Sequence, residues 1–277
     1  GKYKITEQLC GLGERMGVRF HYSSPVDKIS IQNGRAKGVV IASGQEKEAD
    51  VVVSNMDVFS TYHHLLKDVP KPKRILNQER SCSAIIFYWG IKKAFPELDL
   101  HNILFSDHYE DEFDHIFRKK DLHPDPTVYI NISSKHCRSD APLGCENWFV
   151  LINAPYNDGQ DWDKLVDKCR RNVIQKVNRI LNIDLDALIE VEEVLDPREI
   201  ESRTSSYKGA LYGTSSNSMF SAFWRHPNFK RSIKNLYFCG GSVHPGGGIP
   251  LCLNSAKIVD HMIRENHEVE SGFGPSN

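Results

Sequence analysis

The stretch NLYFCGGSVHPGGGIPLCLNSAK, residues 235–257, decides how the rest of the sequence is interpreted. A short apolar run at residues 236–239 predicts a buried strand that two glycines end. Five glycines among residues 240–248 form the loop that follows. Apolar positions at helical spacing from Cys252 to Ile263 predict a helix after the loop. The sequence therefore predicts a strand, a glycine loop and a helix N-terminus in direct succession.

The loop and the helix N-terminus have a chemistry of their own. Glycines leave backbone N–H groups uncovered, and the first turn of a helix adds unpaired donors and the positive end of its dipole. Such a site suits an anionic or oxygen-rich ligand. Tight turns and close helix–strand packing also require glycine. Composition alone therefore leaves a structural turn and a ligand-binding loop as alternatives.

The order of residues in the loop is more specific than its composition. Residues 240–250 (GGSVHPGGGIP), followed by 255–257 (SAK), resemble the C-terminal flavin motif of the phytoene desaturase family, which comprises FAD-dependent carotenoid desaturases and related polyene oxidoreductases. Residues 24–29 (SPVDKI) and 51–55 (VVVSN) resemble the middle of the same family. The resemblance implies FAD as the cofactor and an apolar polyene as the substrate, which is desaturated by hydride transfer to the flavin.

Composition limits the other classes of function. The 277 residues carry a formal net charge of −1, so no global field recruits nucleic acid. The seven cysteines contain no C-x-x-C pair and their number is odd, which favours a reduced intracellular compartment. No apolar run approaches the ~20 residues that span a bilayer. We expect a cytoplasmic protein, and any contact with a membrane is expected to be peripheral.

The predicted elements and the resemblance together divide the chain. Residues 1–58 and 206–277 are expected to form part of an FAD-binding domain of the glutathione-reductase-like type. Residues 59–205 are expected to form an inserted substrate-binding domain with a mixed sheet and helices on one face. The expected fold class is therefore α/β, of the mixed α+β kind.

Local patterns predict the individual elements. Helices are expected at residues 5–16, 59–66 and 162–180, and from Pro197 onward. Strands are expected at residues 18–22, 26–31, 36–42, 50–54, 84–89, 127–133, 148–153 and 191–195. Asn33 and Gly34 predict a type I′ turn between two of these strands.

One expected motif is missing from the sequence. Flavoproteins of this kind hold the FAD pyrophosphate with a strand–G-x-G-x-x-G–helix segment. Gly11-Leu12-Gly13 lies at the end of a helical stripe rather than after a strand, so it is no substitute. The resemblance implies that the chain is the C-terminal part of a longer enzyme and that the missing N-terminal segment is its partner. We expect the chain alone to be inactive and to bind FAD weakly or not at all.

The resemblance also implies positions for cofactor-binding residues. The backbone of Val26 is expected at the adenine, and the stretch that ends in Asn55 is expected against the cofactor. Gly241 and Ser242 are expected by the ribityl or phosphate chain. Three residues at the helix entrance are expected beside the isoalloxazine ring: Gly248, Ile249 and Pro250. Alternatively, Val26 is an ordinary strand residue and Asn55 caps a helix.

An aromatic cluster precedes the glycine loop and supplies the candidate substrate residues Tyr212, Phe223 and Trp224. A polyene offers few hydrogen-bonding groups, so an aromatic tunnel suits it. Alternatively, these rings fill a core between the domains. His244 is the candidate for the catalytic proton transfer, because it is the titratable residue of the loop motif. The alternative is that the glycine loop fixes His244 in a structural role.

Other patterns leave further alternatives. Leu251 and Asn254 stand where many family members have glycine, which resembles branches that act on hydroxylated carotenoids. A retinol-saturase-like or other amine-oxidase-superfamily flavoenzyme is an alternative, and so is a non-catalytic module that binds a hydrophobic ligand or a partner. No metal site is expected, because the twelve histidines lack metal-ligand spacing. The acidic run 110–112 is interpreted as a solvated face.

Overall fold

The structure, a computed structural model, describes residues 3–215 and 225–270. The strands are β1 (Val26–Gln32), β2 (Arg35–Ile41), β3 (Glu46–Glu48), β4 (Val52–Ser54), β5 (Ser83–Ile91), β6 (His101–Leu104), β7 (Val128–Asn131), β8 (Glu146–Ala154), β9 (Ile189–Leu195), β10 (Phe229–Lys230) and β11 (Ile233–Phe238). The helices are α1 (Tyr3–Arg15), α2 (Val58–Ser60), α3 (Lys73–Leu76), α4 (Tyr109–Asp114), α5 (Trp162–Leu181), α6 (Pro197–Thr204) and α7 (Ile249–Glu270). Helices α2 and α4 continue as π-helical turns, Thr61–Leu65 and His115–Lys119.

The first sheet is mixed and has the order β1-β2-β11-β10, with β3 paired to β2 and β4 paired to β11. Strand β11 runs parallel to β2 and to β4, whereas the other pairs are antiparallel. The turn between β1 and β2 has φ of 51° at Asn33 and 71° at Gly34. Positive φ at both central residues is the requirement of a type I′ turn, so that prediction is confirmed.

Helix α2 and its π-helical extension cover the first sheet. Leu236 and Phe238 of β11 are buried in one core with Val58, Tyr62 and Leu66. The rings of Tyr62 and Phe238 stack with their centroids 5.8 Å apart. The Asp57 Oδ1 atom accepts a hydrogen bond of 2.8 Å from the Phe59 N–H, so Asp57 is the N-cap of α2.

The second sheet has the order β6-β7-β8-β5-β9 and is antiparallel throughout. This differs from the mixed sheet that we expected for this region. Burial alternates strictly along β8, as it does in antiparallel sheets with one covered face. Helix α5 covers that face, where Trp162 and Val173 pack with Trp89 and Trp148 in a second core. The mixed α/β fold class is confirmed.

Residues 18–22 form no strand, and the prediction of one is wrong. These residues are exposed, and no strand of the described residues pairs with them, so their alternating pattern has no ladder to join. Helix α1 is present as predicted, but none of its described residues is buried. Its apolar stripe lies in solvent, with Ile5, Leu9 and Leu12 each about half exposed.

The two sheets draw on separate parts of the sequence. The first takes its strands from residues 26–54 and 229–238, and the second takes them from residues 83–195. The division into domains at residues 58 and 206 stays a prediction. The glycine loop follows β11 directly, so the first sheet positions the candidate site.

Candidate functional site

Two parallel strands end together where the glycine loop begins. Ser54 of β4 lies opposite Phe238 of β11, and the Cys239 N–H donates a hydrogen bond of 3.0 Å to the Ser54 carbonyl. Ligands of open α/β sheets bind outside the carboxyl ends of parallel strands. Asn55 follows β4 at this edge, and its Nδ2 atom donates to the Cys239 carbonyl at 3.1 Å. Asn55 thus joins the two strand ends and does not cap α2.

Two glycines of the loop have different roles. A Cβ atom at Gly247 would lie 2.7 Å from the ring and 2.9 Å from the Cα of Tyr212, so this position requires glycine for close packing. Gly248 has a φ of 97°, and a Cβ atom built there meets no atom of the described residues within 4 Å. Gly248 therefore borders open space in a conformation that favours glycine.

The loop also carries backbone hydrogen-bond donors. Among the described residues, none accepts a hydrogen bond from the N–H of Gly247 or Gly248. Helix α7 begins at Ile249, which adds the positive end of a helix dipole at the same place. Ile249 is half exposed, and Pro250 has no N–H group to donate. These residues fit a ligand with both oxygen atoms and a flat apolar part, as a flavin has.

Buried polar side chains hold the loop in place. The Asn228 Nδ2 atom donates to the Phe238 carbonyl at 3.0 Å and to the His244 carbonyl at 2.9 Å. The Ser255 Oγ atom accepts from the Gly240 N–H at 3.1 Å and donates to the His244 carbonyl at 2.9 Å. Sequence reasoning missed both residues, although Ser255 belongs to the SAK element of the motif. Its signal is a small polar residue on the face of α7 that meets β11.

Arg225 is a third residue that the sequence reasoning missed. It is buried, and its Nη1 atom donates to the carbonyls of Tyr212 at 3.0 Å and Gly241 at 3.2 Å. Its Nη2 atom donates to the Thr214 carbonyl at 3.1 Å. Burial lowers the pKa of the Arg225 guanidinium. This side chain ties the glycine loop to residues 212–214, and its position directly after the aromatic cluster was the available signal.

His226 is a buried residue that supports the loop. Its Nδ1 atom lies 2.7 Å from the Pro227 carbonyl, which can only accept, so Nδ1 carries the proton. Its Nε2 atom therefore accepts from the Tyr62 hydroxyl at 3.0 Å. Burial lowers the pKa of His226 to about 4, which keeps the ring neutral near pH 7. Burial also raises the pKa of the Cys239 thiol, so this thiol beside the loop is a poor nucleophile.

The predicted loop residues Ser242 and His244 make internal contacts. The Ser242 side chain is buried, and its Oγ atom accepts a hydrogen bond of 2.9 Å from the Val58 N–H. The His244 N–H donates to the His226 carbonyl at 3.0 Å, and the peptide bond to Pro245 is cis. The His244 side chain is exposed, and within the described residues it makes no hydrogen bond. The cofactor roles of these residues stay predictions.

Val26 lies apart from the loop. It begins β1, where it pairs with Ile41, and β2 separates β1 from β11. The structure therefore brings Asn55, Gly241, Ser242 and the start of α7 together, but places Val26 two strands away. The expected contact of Val26 with an adenine stays a prediction.

A cavity of about 430 Å³ lies beside the glycine loop. The loop, helix α4 and a ribbon that pairs residues 79–82 with 211–215 surround it. Its lining includes Phe113, Phe117, Tyr212, Thr214, Gly247 and Leu251. The predicted substrate residue Tyr212 thus contacts both the loop and the cavity, whereas Phe223 and Trp224 lie outside the described residues.

A larger cavity elsewhere has a different character. It measures about 560 Å³ and lies beside β2 and β3, where Lys37, Glu46 and Glu48 line it. Its charged lining does not suit an apolar ligand. Within the described part of the chain, no group of three or more His, Cys, Asp or Glu side chains is arranged to hold a metal ion. None of the described helices is long and apolar enough to cross a bilayer.

The acidic run at residues 110–112 is only partly a solvated face. Glu110 and Asp111 are exposed, but Glu112 is 1% exposed. The interpretation of the run as solvated is therefore wrong for Glu112. Helical periodicity explains the difference, because Glu112 shares the buried side of the helix with Ile116, one turn later.

Comparison with known proteins identifies similar sequences over nearly the whole chain. The family described as flavin containing amine oxidoreductase matches residues 3–259. The chain is 56% identical to a 1-hydroxycarotenoid 3,4-desaturase of a Flavobacterium species, over 95% of this chain and 54% of the relative. It is 35% identical to a phytoene desaturase of Fusarium fujikuroi, over 99% of this chain and 51% of the relative. The chain thus spans about half the length of the curated relatives it matches.

A solved structure supports the fold. The chain is similar to an oxidoreductase from Methanosarcina mazei, with a TM-score of 0.58 and 14% sequence identity. The likeness covers 89% of this chain and 51% of that protein. At this identity it shows the fold alone.

Proposed function

The chain belongs to the family of flavin containing amine oxidoreductases, and on that premise we propose that the whole protein is an FAD-dependent desaturase of a carotenoid-like polyene. The 56% identity to a 1-hydroxycarotenoid 3,4-desaturase and the 35% identity to a phytoene desaturase support this activity. The first of these relatives also supports a substrate that carries a hydroxyl group. The names of both relatives favour desaturation over the saturation of a retinol-like substrate.

One structural observation carries the proposal. The glycine loop has N–H groups from which no described residue accepts a hydrogen bond, and the loop borders a cavity that aromatic rings line. When bound, FAD supplies a hydride acceptor. The N–H groups of Gly247 and Gly248 would hold the cofactor, and Arg225 holds the loop in shape through its hydrogen bond to the Gly241 carbonyl. Phe113, Phe117 and Tyr212 orient the polyene and exclude water from it.

We assign His244 a structural role within this site. Both its N–H and its carbonyl group make hydrogen bonds that hold the loop, whereas its imidazole lies in solvent. The proposed cofactor contacts are those of the sequence prediction: Val26, Asn55, Gly241, Ser242, Gly248, Ile249 and Pro250. Asn55 and Gly248 have the strongest support, because Asn55 is exposed at the edge of the sheet and Gly248 borders open space.

An aromatic ridge, defined as Tyr109, Phe113 and Phe117, is the proposed site of peripheral contact with a membrane. Neighbouring ring centroids in the ridge lie 5.0 Å and 6.1 Å apart. Tyr109 and the nearby Phe105 are more than half exposed. Exposed aromatic side chains favour the interface of a bilayer. Since Phe113 and Phe117 also line the cavity beside the glycine loop, a substrate dissolved in lipid has a short path to the loop.

The exposed stripe of α1 is the proposed contact with the remainder of the whole protein. Leu9 and Leu12 are about half exposed, and α1 buries no residue against the described chain. The curated relatives are about twice as long as this chain, which supports the presence of a further segment to cover the stripe. That segment is also the proposed source of the G-x-G-x-x-G turn.

Bound flavin in two matched glycine variants tests the proposed cofactor site. Gly248 and Gly159 both have a positive φ, and neither has an atom within 4 Å of an added Cβ. Gly248→Ala and Gly159→Ala therefore carry similar backbone strain, of about 1 kcal/mol. We expect the whole protein to purify with FAD and Gly248→Ala to bind FAD at least tenfold more weakly than Gly159→Ala. Equal affinities in the two variants would contradict the site.

A further inference from the structure

The helix that forms one wall of the cavity beside the glycine loop has few contacts that hold it. The α4 segment, defined as residues 108–118, comprises helix α4 and most of its π-helical turn. Among the described residues, each of its hydrogen bonds and ion pairs has both partners within residues 106–121. Its buried residues are Glu112 and Ile116, and Ile116 belongs to neither core. The segment therefore packs on the protein without polar bonds to the structure beneath it.

Both ends of the α4 segment are anchored. Before it, the Phe105 carbonyl accepts a hydrogen bond of 2.7 Å from the buried Lys176 ammonium group. After it, the Lys120 Nζ atom lies 3.5 Å from the Glu79 carboxylate, and Leu122 is buried in the second core. A segment with few buried apolar contacts opens locally at a lower free energy than the core does. The α4 segment thus has the construction of a part that moves between two fixed ends.

Two rings of the α4 segment lie between two cavities. Phe113 and Phe117 line the cavity of about 430 Å³ beside the glycine loop. The same rings line a second cavity of about 460 Å³, together with Glu110, Asp114 and Arg118. Glu110 and Arg118 are exposed, so the second cavity lies on the outer side of the helix. The two rings therefore separate the glycine loop from the surface of the protein.

The position of the α4 segment in the structure has an energetic cost. Glu112 is 1% exposed, and neither of its carboxyl oxygens makes a hydrogen bond within the described residues. The buried carboxyl group of Glu146 differs, because it accepts hydrogen bonds from the Phe95 N–H at 2.9 Å and the Trp148 Nε1 atom at 2.8 Å. A buried carboxyl group without partners loses its hydration without compensation. Outward movement of the segment would return Glu112 to water and recover that cost.

We infer that the α4 segment is a gate, which swings outward about its anchored ends and lets an apolar ligand pass Phe113 and Phe117 to reach the glycine loop. This inference rests on the proposed function and concerns access to the proposed site. In the closed position, the two rings keep the ligand from water. In the open position, Glu112 is hydrated, which lowers the free energy of that state. The unpaired carboxyl group thus determines how often the gate opens.

A gate has a kinetic signature that a ligand contact lacks. If the closed position is stabilised, opening becomes rarer both before binding and before release. The association and dissociation rate constants then fall by the same factor, and the affinity stays unchanged. Glu112→Met removes the carboxyl group and nearly preserves the side-chain shape. We expect it to lower both rate constants about tenfold, which is the scale for one buried unpaired polar group.

Stopped-flow quenching of intrinsic fluorescence measures both rate constants on the FAD-loaded whole protein, with an excess of an acyclic carotenoid in detergent micelles. Hydrogen exchange followed by mass spectrometry measures the opening itself. We expect the α4 segment of the wild type to exchange at least about tenfold faster than α5, and Glu112→Met to slow that exchange about tenfold. Ser134→Ala should change neither measurement, because its buried hydroxyl also lacks a partner but lies outside the segment, in the turn Ser133–Lys135.

Two results would overturn the gate and leave the proposed function intact. One is exchange of the α4 segment in the wild type that is as slow as that of α5, which needs no variant to fold. The other is a Glu112→Met protein that changes the affinity for the carotenoid or leaves both rate constants as they were. A wild type that binds no carotenoid would instead overturn the proposed function, and hydrogen exchange would still test the movement of the segment.

Discussion

At the level of single residues, the glycine loop depends on side chains from other parts of the chain. Asn228, Ser255 and Arg225 satisfy backbone carbonyls of the loop, and His226 lies beneath it. Each is buried, so each hydrogen bond is protected from water and each loss would leave an unpaired group. The shape of the loop is thus set by the residues around it and not by its glycines alone.

The neutral state of His226 predicts a pH dependence of stability. Its pKa falls from 6.5 to about 4 on folding, so the unfolded chain binds more protons between these values. Stability is therefore lost as pH falls from about 6.5 toward 4, by up to about 3 kcal/mol. His226→Gln keeps an acceptor for Tyr62 but does not titrate. Urea unfolding of both proteins between pH 7 and pH 4 checks this, and parallel losses of stability would refute it.

At the level of elements, helix α4 has a buried side and a partly exposed aromatic side. Its buried side carries Glu112, and its ridge side carries Tyr109 and Phe113. Charges near the ridge nearly balance, since Arg118 and Lys119 both lie within 3.4 Å of Asp114, and Glu110 is close by. Such a surface suits zwitterionic lipid and does not require anionic lipid.

Vesicle binding tests the ridge. The double variant Phe105→Ser and Tyr109→Ser removes two exposed rings that do not line the cavity. We expect it to bind phosphatidylcholine vesicles about tenfold more weakly than the wild type, because the variant transfers less aromatic surface from water into the bilayer. Tyr22→Ser, at another exposed ring, serves as the control. Equal binding by all three proteins in a sedimentation assay would exclude the exposed rings of Phe105 and Tyr109 as the contact.

The elements also show what can be predicted from sequence. The Asn33-Gly34 turn, strand β5 and helix α5 follow from local pattern, because turn chemistry and periodicity determine them. The strand expected at residues 18–22 failed because pairing depends on a distant neighbour. The contacts of Arg225 and Asn228 and the burial of Glu112 also depend on residues that are distant in the sequence, so they could not be predicted from local pattern. The residues of the loop could be recognised in the sequence as a motif. The residues that support the loop could be identified only from the folded structure.

At the level of the whole molecule, two sheets and two cores leave the apolar stripe of α1 uncovered by the described residues. Leu9 of this stripe is 53% exposed. A monomer rarely exposes a continuous apolar stripe of this kind without a partner. The proposed partner is the remainder of the whole polypeptide, which would complete the cofactor domain around the glycine loop.

A charge on the stripe tests this packing. Leu9→Asp should lower the free energy of unfolding of the whole protein by about 2–3 kcal/mol, because it would bury an unpaired carboxylate. Leu143→Asp is the control, since Leu143 is fully exposed in a loop. Thermal unfolding compares the two variants. If Leu9→Asp changes the free energy of unfolding as little as the control does, the stripe stays exposed to water in the whole protein.

The most direct test of the central claim is anaerobic titration of the flavin-loaded whole protein with a carotenoid substrate. The account predicts that the absorbance of oxidised flavin bleaches as the polyene gains a double bond, with one flavin reduced for each bond formed. Gly159→Ala should behave like the wild type, and Gly248→Ala should retain too little flavin to respond. Flavin that stays oxidised while the polyene is bound, or a protein without flavin, would contradict the account.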